Sequence, residues 1–213
     1  MDIERPGAEQ WVPSDADVDR LRDAVQGCRG CELWRGATQA VFGDGDAPAR
    51  LMLVGEQPGD KEDLAGEPFV GPAGRILSQA LEQAGVSRES VYVTNAVKHF
   101  RFEMRGKRRI HQRPDAGNIQ ACRPWLEAEF AAVQPAVVVC LGATAGRAVL
   151  GRVVKVGAER GRPLDSSGRI VVVTIHPSAV LRLRDSGQRS EAVAGLAADL
   201  RVAAKLARDV DTA

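Results

Sequence analysis

The sequence has little net charge, few cysteines and no long apolar run, and each shortage narrows what the chain can be. The formal charge is +1 over 213 residues, so bulk charge alone does not draw this protein to nucleic acid. No apolar stretch approaches the roughly 20 residues needed to span a bilayer, which excludes a membrane partner at this level of reading. The opening MDIERPGAEQ has acids where a secretory leader would have basic and then apolar residues, so residence in the cytoplasm is the expectation. Four cysteines in a reducing compartment suggest a metal site before they suggest disulfides. Internal repeats and low-complexity linkers are also missing, as is the GxxxxGK(S/T) spacing of a phosphate-binding loop.

The composition that remains is that of a globular chain, 44% apolar and 27% charged, long enough to bury one substantial core. A single domain over residues 1–213 is the reading, with residues 1–50 forming a helix and a cysteine-bearing arm. Charge is unevenly spread. Lys98, Arg101, Arg105, Lys107, Arg108, Arg109 and Arg113 stand against one acid, Glu103, so a segment netting +6 sits in a nearly neutral chain. A local run of this kind suits contact with phosphates.

Periodicity predicts the elements. SDADVDRLRDAVQG reads as a helix with Ser14 or Asp15 as cap, Val18, Leu21 and Val25 on one face, and Gly27 as its stop. The wholly apolar run Leu51 to Val54 predicts a strand buried on both faces. After it come helix GRILSQALEQA closed by Gly85, strand SVYVTNAV, a basic loop, helix IQACRPWLEAEFAAV, strand AVVVCLG, helix ATAGRAVLG, strand RIVVVTI and a final helix from about Ser190 to Asp209. The alternation favours an α/β fold, a three-layer α/β/α arrangement with a central, mainly parallel sheet. In such sheets ligands bind beyond the carboxyl ends of the strands.

Four segments fall there, and each alone has a plain structural reading beside a chemical one. GEQPG, Gly55 to Gly59, is either a tight turn or a loop that brings backbone N–H groups and the Glu56 carboxylate to a ligand. Phe69 in EDLAGEPFVGPAG either anchors its loop or offers a stacking face. Asn95, ending YVTN, either caps a turn or pairs its amide with a nucleobase edge. His176 in HPS either satisfies local backbone or donates to negative charge growing on a leaving group.

GEQPG, GEPFVGPAG, VTNAVK and HPS, in this order and separation, resemble the uracil-DNA glycosylase superfamily, in particular its iron–sulfur, family-four branch. The resemblance runs from about Cys28 to the last helix. It implies a uracil-DNA glycosylase-like fold, uracil-containing DNA as partner, and cleavage of the N1–C1′ bond after the base leaves the stack. Phe69 would stack on uracil, Asn95 would read its edge and His176 would stabilise the uracil anion. Gly55 and the rest of the GEQPG backbone would line the pocket. Ser178, Arg182 and their neighbours from Ala179 to Arg184 resemble a loop that presses on the minor groove. Lys98, Arg105, Lys107, Arg108 and Arg109 would meet phosphates.

Cys28 and Cys31 form a CxxC pair, and Cys122 lies far downstream. Cys140, inside VVVCLG, is where an apolar strand residue is expected. Where the iron–sulfur glycosylases continue with Lys-Cys, this chain reads Lys98-His99. The implied ligands are therefore Cys28, Cys31, His99 and Cys122. By donor type they suit structural zinc, whereas the resemblance implies a 4Fe-4S cluster that ties the arm to the domain. Histidine does ligate iron in Rieske centres.

The 22 residues between His99 and Cys122 carry RGKRRIH, longer than the ordinary family pattern. They match the X-type subgroup, which cross-links covalently to uracil-containing DNA. The carried-over nucleophile is His111, with Glu56 orienting it or taking its proton. Gln57 and Asp60 are assigned weaker parts in shaping the pocket. A plainer view makes RGKRRIH a phosphate-binding loop. The expectation is thus a monomeric, single-turnover enzyme without an obligate protein partner. The rivals are a conventional glycosylase that uses water, a non-catalytic binder of damaged or single-stranded DNA and, more remotely, an iron–sulfur electron carrier.

Overall fold

A computed structural model describes residues 4–210. Residues 1–3, part of the acidic start, and residues 211–213 lie outside the described residues. In chain order the elements are α1 (Val18–Val25), β1 (Leu51–Gly55), α2 (Asp60–Ala65), α3 (Pro72–Ala84), β2 (Val91–Asn95), β3 (Phe102–Arg105), β4 (Arg108–His111), α4 (Ala116–Val133), β5 (Val137–Leu141), α5 (Ala143–Leu150), α6 (Val156–Glu159), β6 (Pro163–Ser166), β7 (Arg169–Thr174), α7 (Pro177–Leu181) and α8 (Ser186–Asp209). Among the described residues no helix is long and apolar enough to cross a membrane.

The central sheet has the order β2-β1-β5-β7-β6. Its first four strands are parallel, and β6 adds an antiparallel edge to β7. Alternation along each strand divides the apolar residues between two cores. Met52, Val54, Tyr92, Val138, Cys140, Val171 and Val173 share one cluster with residues of α1, α4 and α5. Leu51, Leu53, Val91, Val93, Val137, Val139, Leu141 and Val172 share the other with α3, α7 and α8. Helices therefore cover both faces, and the three-layer α/β/α class is the one observed.

Four local features differ from the sequence reading. Helix α1 starts at Val18 because Asp17, not Ser14 or Asp15, accepts the N–H of Arg20. The short strand β6 contains a proline and polar residues, a composition tolerated at an edge, and the apolar pattern did not reveal it. The basic segment is a hairpin and not a loop: β3 and β4 pair antiparallel, with Phe102 opposite His111 and Arg105 opposite Arg108. Helix α4 also extends upstream of Ile119 to Ala116, because Asp115 accepts the N–H groups of Gly117 and Asn118 while the Asn118 amide oxygen accepts from Asp115 N–H.

The N-terminal arm has polar ties of its own. Arg5 bridges Glu32, at 2.7 Å, to Asp115 at the start of α4, also 2.7 Å. Arg101 reaches the same Asp115 at 2.9 Å. Helix α1 packs its Val18, Leu21 and Val25 face into the core cluster that holds α4.

Beneath the ends of β1 and β2 lies a buried polar knot. Lys98 and Glu129 form an ion pair in which the side chains are 1% and 0% exposed. Lys98 Nζ also donates to Thr94 Oγ1 and to the Asn95 carbonyl, both at 2.7 Å. Glu129 in turn accepts from the Tyr92 and Thr94 hydroxyls. Lys98, expected to meet phosphates, is corrected by this burial, because its ammonium is committed inside the core. Removing one partner would strand the other charge away from water, which is far costlier than removing both. Glu129→Ala is expected to lower the unfolding free energy by about 3–5 kcal/mol, and Lys98→Met combined with Glu129→Leu to recover most of the loss. Urea denaturation checks this; a loss in the single variant no greater than in the double would contradict it.

Candidate active site

The strand order reverses between β1 and β5, so the loops after these strands diverge and leave a crevice at their carboxyl ends. A cavity of about 900 Å³ opens there, lined by Glu56, Gln57 and Asp60 after β1, Phe69, Asn95, His111, Thr144 after β5, and His176, Ser178 and Arg182 after β7. Residues distant in sequence thus meet because four parallel strands deliver them to one edge.

Gly55 shows how tightly the floor is built. A Cβ added there would stand 2.3 Å from Asn95 Oδ1 and 2.7 Å from the Phe69 ring, so only glycine lets amide and ring close over the strand end. Phe69 has φ +59°, a strained backbone for a bulky residue that surrounding structure must enforce. Part of that enforcement comes from Glu62. Its two carboxylate oxygens accept the N–H groups of Gly59 (3.1 Å) and Gly71 (2.7 Å), stapling the GEQPG loop to the loop that carries Phe69. The sequence reading missed Glu62. Its signal was an acid three residues after Gly59, in the first turn of α2.

His176 caps α7. Its Nδ1 accepts the Ser178 N–H at 3.1 Å, so in the neutral ring the proton lies on Nε2. Burial, with His111 and Arg182 adding to it, lowers the His176 pKa to about 4, which keeps the ring neutral near pH 7. The Phe69 and His176 ring centroids are 6.2 Å apart.

His111 ends β4, and its side chain is 49% exposed. The Gln57 carboxamide holds this place. Its Oε1 accepts the Arg101 N–H at 3.1 Å, while Nε2 lies 3.2 Å from the Arg101 carbonyl, 3.0 Å from the Gln112 carbonyl and 3.0 Å from His111 Nε2. Two amide hydrogens face three acceptors, so the imidazole nitrogen shares its donor. Glu56 Oε1 is 3.7 Å from His111 Nε2. Desolvation lowers the His111 pKa against the opposing pull of Glu56, and Arg113 and Arg182 lower it further. The neutral ring is therefore favoured at neutral pH. Thr144 donates its hydroxyl to Glu56 Oε2, a contact that only the position of its strand end foreshadowed.

The basic run divides by role. Arg105, Lys107 and Arg108 are exposed at the hairpin tip. Arg109, also expected to contact DNA, is corrected: its guanidinium is 2.6 Å from both Asp60 and Asp63, with the side chain only 18% exposed. It also packs over the Phe100 and Phe102 rings. Asp60, placed in the pocket by the sequence reading, lines the cavity but spends its carboxylate on this pair.

Cys28, Cys31, Cys122 and His99 are all buried. Trp125 Nε1–H points to Cys28 Sγ at 3.1 Å, and the Lys98 N–H to Cys122 Sγ at 3.2 Å. Burial pushes the Cys122 thiol up to about 12, with Cys31 and Cys28 contributing, so the three thiols share one neighbourhood. Burial also lowers His99 to about 4, leaving a neutral ring with a lone pair to give. Among the described residues no three His, Cys, Asp or Glu side chains converge as they would on a single metal ion. Cys140 is buried within β5 in the first core cluster, a small apolar residue in its role.

Residues 42–201 match the family model described as "Uracil DNA glycosylase superfamily". The chain is 37% identical to the type-4 uracil-DNA glycosylase of Thermotoga maritima over 81% of its own length and 87% of that protein. It is 34% identical to the type-4 enzyme of Pyrobaculum aerophilum over 78% and 85%. A type-5 uracil-DNA glycosylase of the same archaeon is 31% identical over 74% of each chain.

A short hairpin whose outer strand is pinned to α2 through Arg109 should loosen when that arginine is removed. Arg109→Ala is expected to speed amide hydrogen exchange across residues 102–111 by about a hundredfold or more while the central sheet stays protected. Unchanged protection in the hairpin would contradict the assignment.

Proposed function

This chain belongs to the uracil-DNA glycosylase superfamily, and on that premise we propose that it excises uracil from DNA and then holds the product strand covalently through His111. The observation that carries the reading is the position of that imidazole on the wall of the same cavity as Phe69, Asn95 and His176. Phe69 stacks on the extruded base, and Asn95 pairs with its edge. The N1–C1′ bond breaks with its electron pair passing to uracil, whose anion receives a hydrogen bond from His176 Nε2–H. The sugar is left with an electron-poor C1′.

In a conventional enzyme water adds at that carbon. Here a neutral imidazole, held beside the cavity by Gln57, forms the new bond with a ring-nitrogen lone pair. The ring becomes an alkylated imidazolium beside Glu56, and its remaining N–H proton then passes to solvent water to give the neutral adduct. Imidazole bound to C1′ is a poor leaving group unless protonated, and it fills the site that water needs. One molecule of protein therefore acts once. Arg105, Lys107 and Arg108 at the hairpin tip, and Arg182 at the mouth, meet the phosphates of the strand.

Cys28, Cys31, Cys122 and His99 hold a 4Fe-4S cluster in this reading. Three sulfurs and an imidazole match its donor chemistry, and ligands that surround a cluster need not converge on a point as around one zinc. When bound there, it would tie the N-terminal arm to the domain.

A denaturing gel of the protein mixed with labelled, uracil-containing single-stranded DNA tests the capture. A band that survives heat and detergent is expected, in at most stoichiometric yield. His111→Ser is expected to admit water and release uracil and abasic DNA over repeated turnovers. Abasic product in excess over wild-type protein would establish water as the nucleophile. Salt-sensitive binding without base release would establish a DNA sensor. For the cluster, anaerobically purified protein should be brown, with iron and sulfide near four per chain; a colourless sample with one zinc per chain would overturn it.

A further inference from the structure

We propose that Thr144 is a positioning residue for the capture step, its hydroxyl fixing the Glu56 carboxylate so that one oxygen faces His111. The inference rests on the role given to His111 above.

A glutamate carboxylate rotates freely about its last torsion, so reaching His111 does not by itself aim it. Two groups hold Glu56 Oε2: the Thr144 hydroxyl, which donates to it, and Arg113 Nε at 3.6 Å. The two are unequal. Arg113 is a long side chain 77% exposed to water, whereas Thr144 is buried, sits in the first turn of α5 and is stiff at χ1 because it branches at Cβ. The threonine is thus the fixed point. With Oε2 engaged, Oε1 is the oxygen left toward His111 Nε2, at 3.7 Å.

The aim matters because of how charge moves. Bond formation to C1′ turns a neutral ring into a cation, and an oriented carboxylate beside it stabilises that charge without first having to reorganise. The topology makes the arrangement possible. Glu56 follows β1 and Thr144 follows β5, and these neighbouring strands flank the point where the sheet order reverses. Gly142, the joint between β5 and α5, has φ +94°, and a Cβ there would stand 3.0 Å from His176 Cβ. The turn that presents Thr144 to Glu56 thus also packs against the histidine that serves the leaving uracil.

The test compares Thr144→Val, which keeps shape and loses the donor, with Thr144→Ser, which keeps the donor. Two readouts are taken: the titration of the His111 ring by NMR in the free protein, and the single-turnover rate of adduct formation on uracil-containing single-stranded DNA. Glu56, Arg113 and Arg182 are the charged groups acting on that ring, and of these only Glu56 raises its pKa. Losing the carboxylate's aim should therefore move the His111 midpoint down by roughly half a pH unit and slow capture about tenfold. Serine should restore both. Should the valine protein not fold, Thr144→Ala carries the same expectation. A midpoint and rate unchanged in the valine variant, or a serine variant as impaired as valine, would overturn the proposal. If wild-type protein releases uracil without forming an adduct, the capture reading falls. The NMR titration then decides Thr144 alone: a shift that serine reverses upholds its hold on Glu56, and no shift refutes it.

Discussion

A two-stranded hairpin in water has almost no stability of its own, yet β3 and β4 must present His111 at a fixed place beside the cavity. The contact that resolves this is Arg109 between Asp60 and Asp63. Asp63 is fully buried and also accepts the Thr38 N–H, so its charge has a defined position, and the guanidinium that meets it is flanked by the Phe100 and Phe102 rings. Charge-assisted hydrogen bonds in so dry a setting are stronger and more directional than ion pairs in water. Gln57 fastens the hairpin's base by bonding both of its ends, at Arg101 and Gln112. Arg109 ties β4 to α2 and Gln57 ties the hairpin's base, with His111 between the two attachments.

The same interactions explain why the basic run is a poor guide to charge at the surface. Of its seven cations, Lys98 is spent on Glu129, Arg101 on Asp115 and Arg109 on Asp60 and Asp63. What remains outward is the cluster at the tip, with Arg113 at the rim of the cavity. Cations buried within a segment and cations presented by it have the same composition. They differ only in whether the fold brings an acid to each, and those acids lie in α2 and α4 or at their edges, far away in sequence.

That distance separates what was legible in the sequence from what was not. Apolar runs and their period forecast the sheet and its two helical layers, because burial on both faces leaves an unmistakable apolar signature in Leu51–Val54 and Val137–Leu141. The strand ends then placed Glu56, Asn95 and His176 on one edge by topology alone. The hairpin was missed although Phe102 and Met104 alternate with Glu103 and Arg105, because both strands are four residues long and largely exposed and their charge reads as a solvated loop. Nor was Thr144, an ordinary helix-start threonine until the strand order brings it to Glu56. The roles of Lys98 and Arg109 failed for a similar reason: a charged side chain reads as solvated unless its partner is known.

In the capture proposed for His111, competition at C1′ between one imidazole and water is a question of place, not of intrinsic reactivity. Water is present at high concentration but must be oriented, whereas a side chain already beside the carbon gains an effective concentration far above any solute's. The structure spends several residues on securing that advantage. Gln57 holds its amide nitrogen 3.0 Å from His111 Nε2, desolvation favours the ring's neutral form, and Glu56 Oε1 lies 3.7 Å from the same ring nitrogen. In the capture proposed above, the placement that lets His111 bond to C1′ ahead of water is also what would keep the ring from leaving.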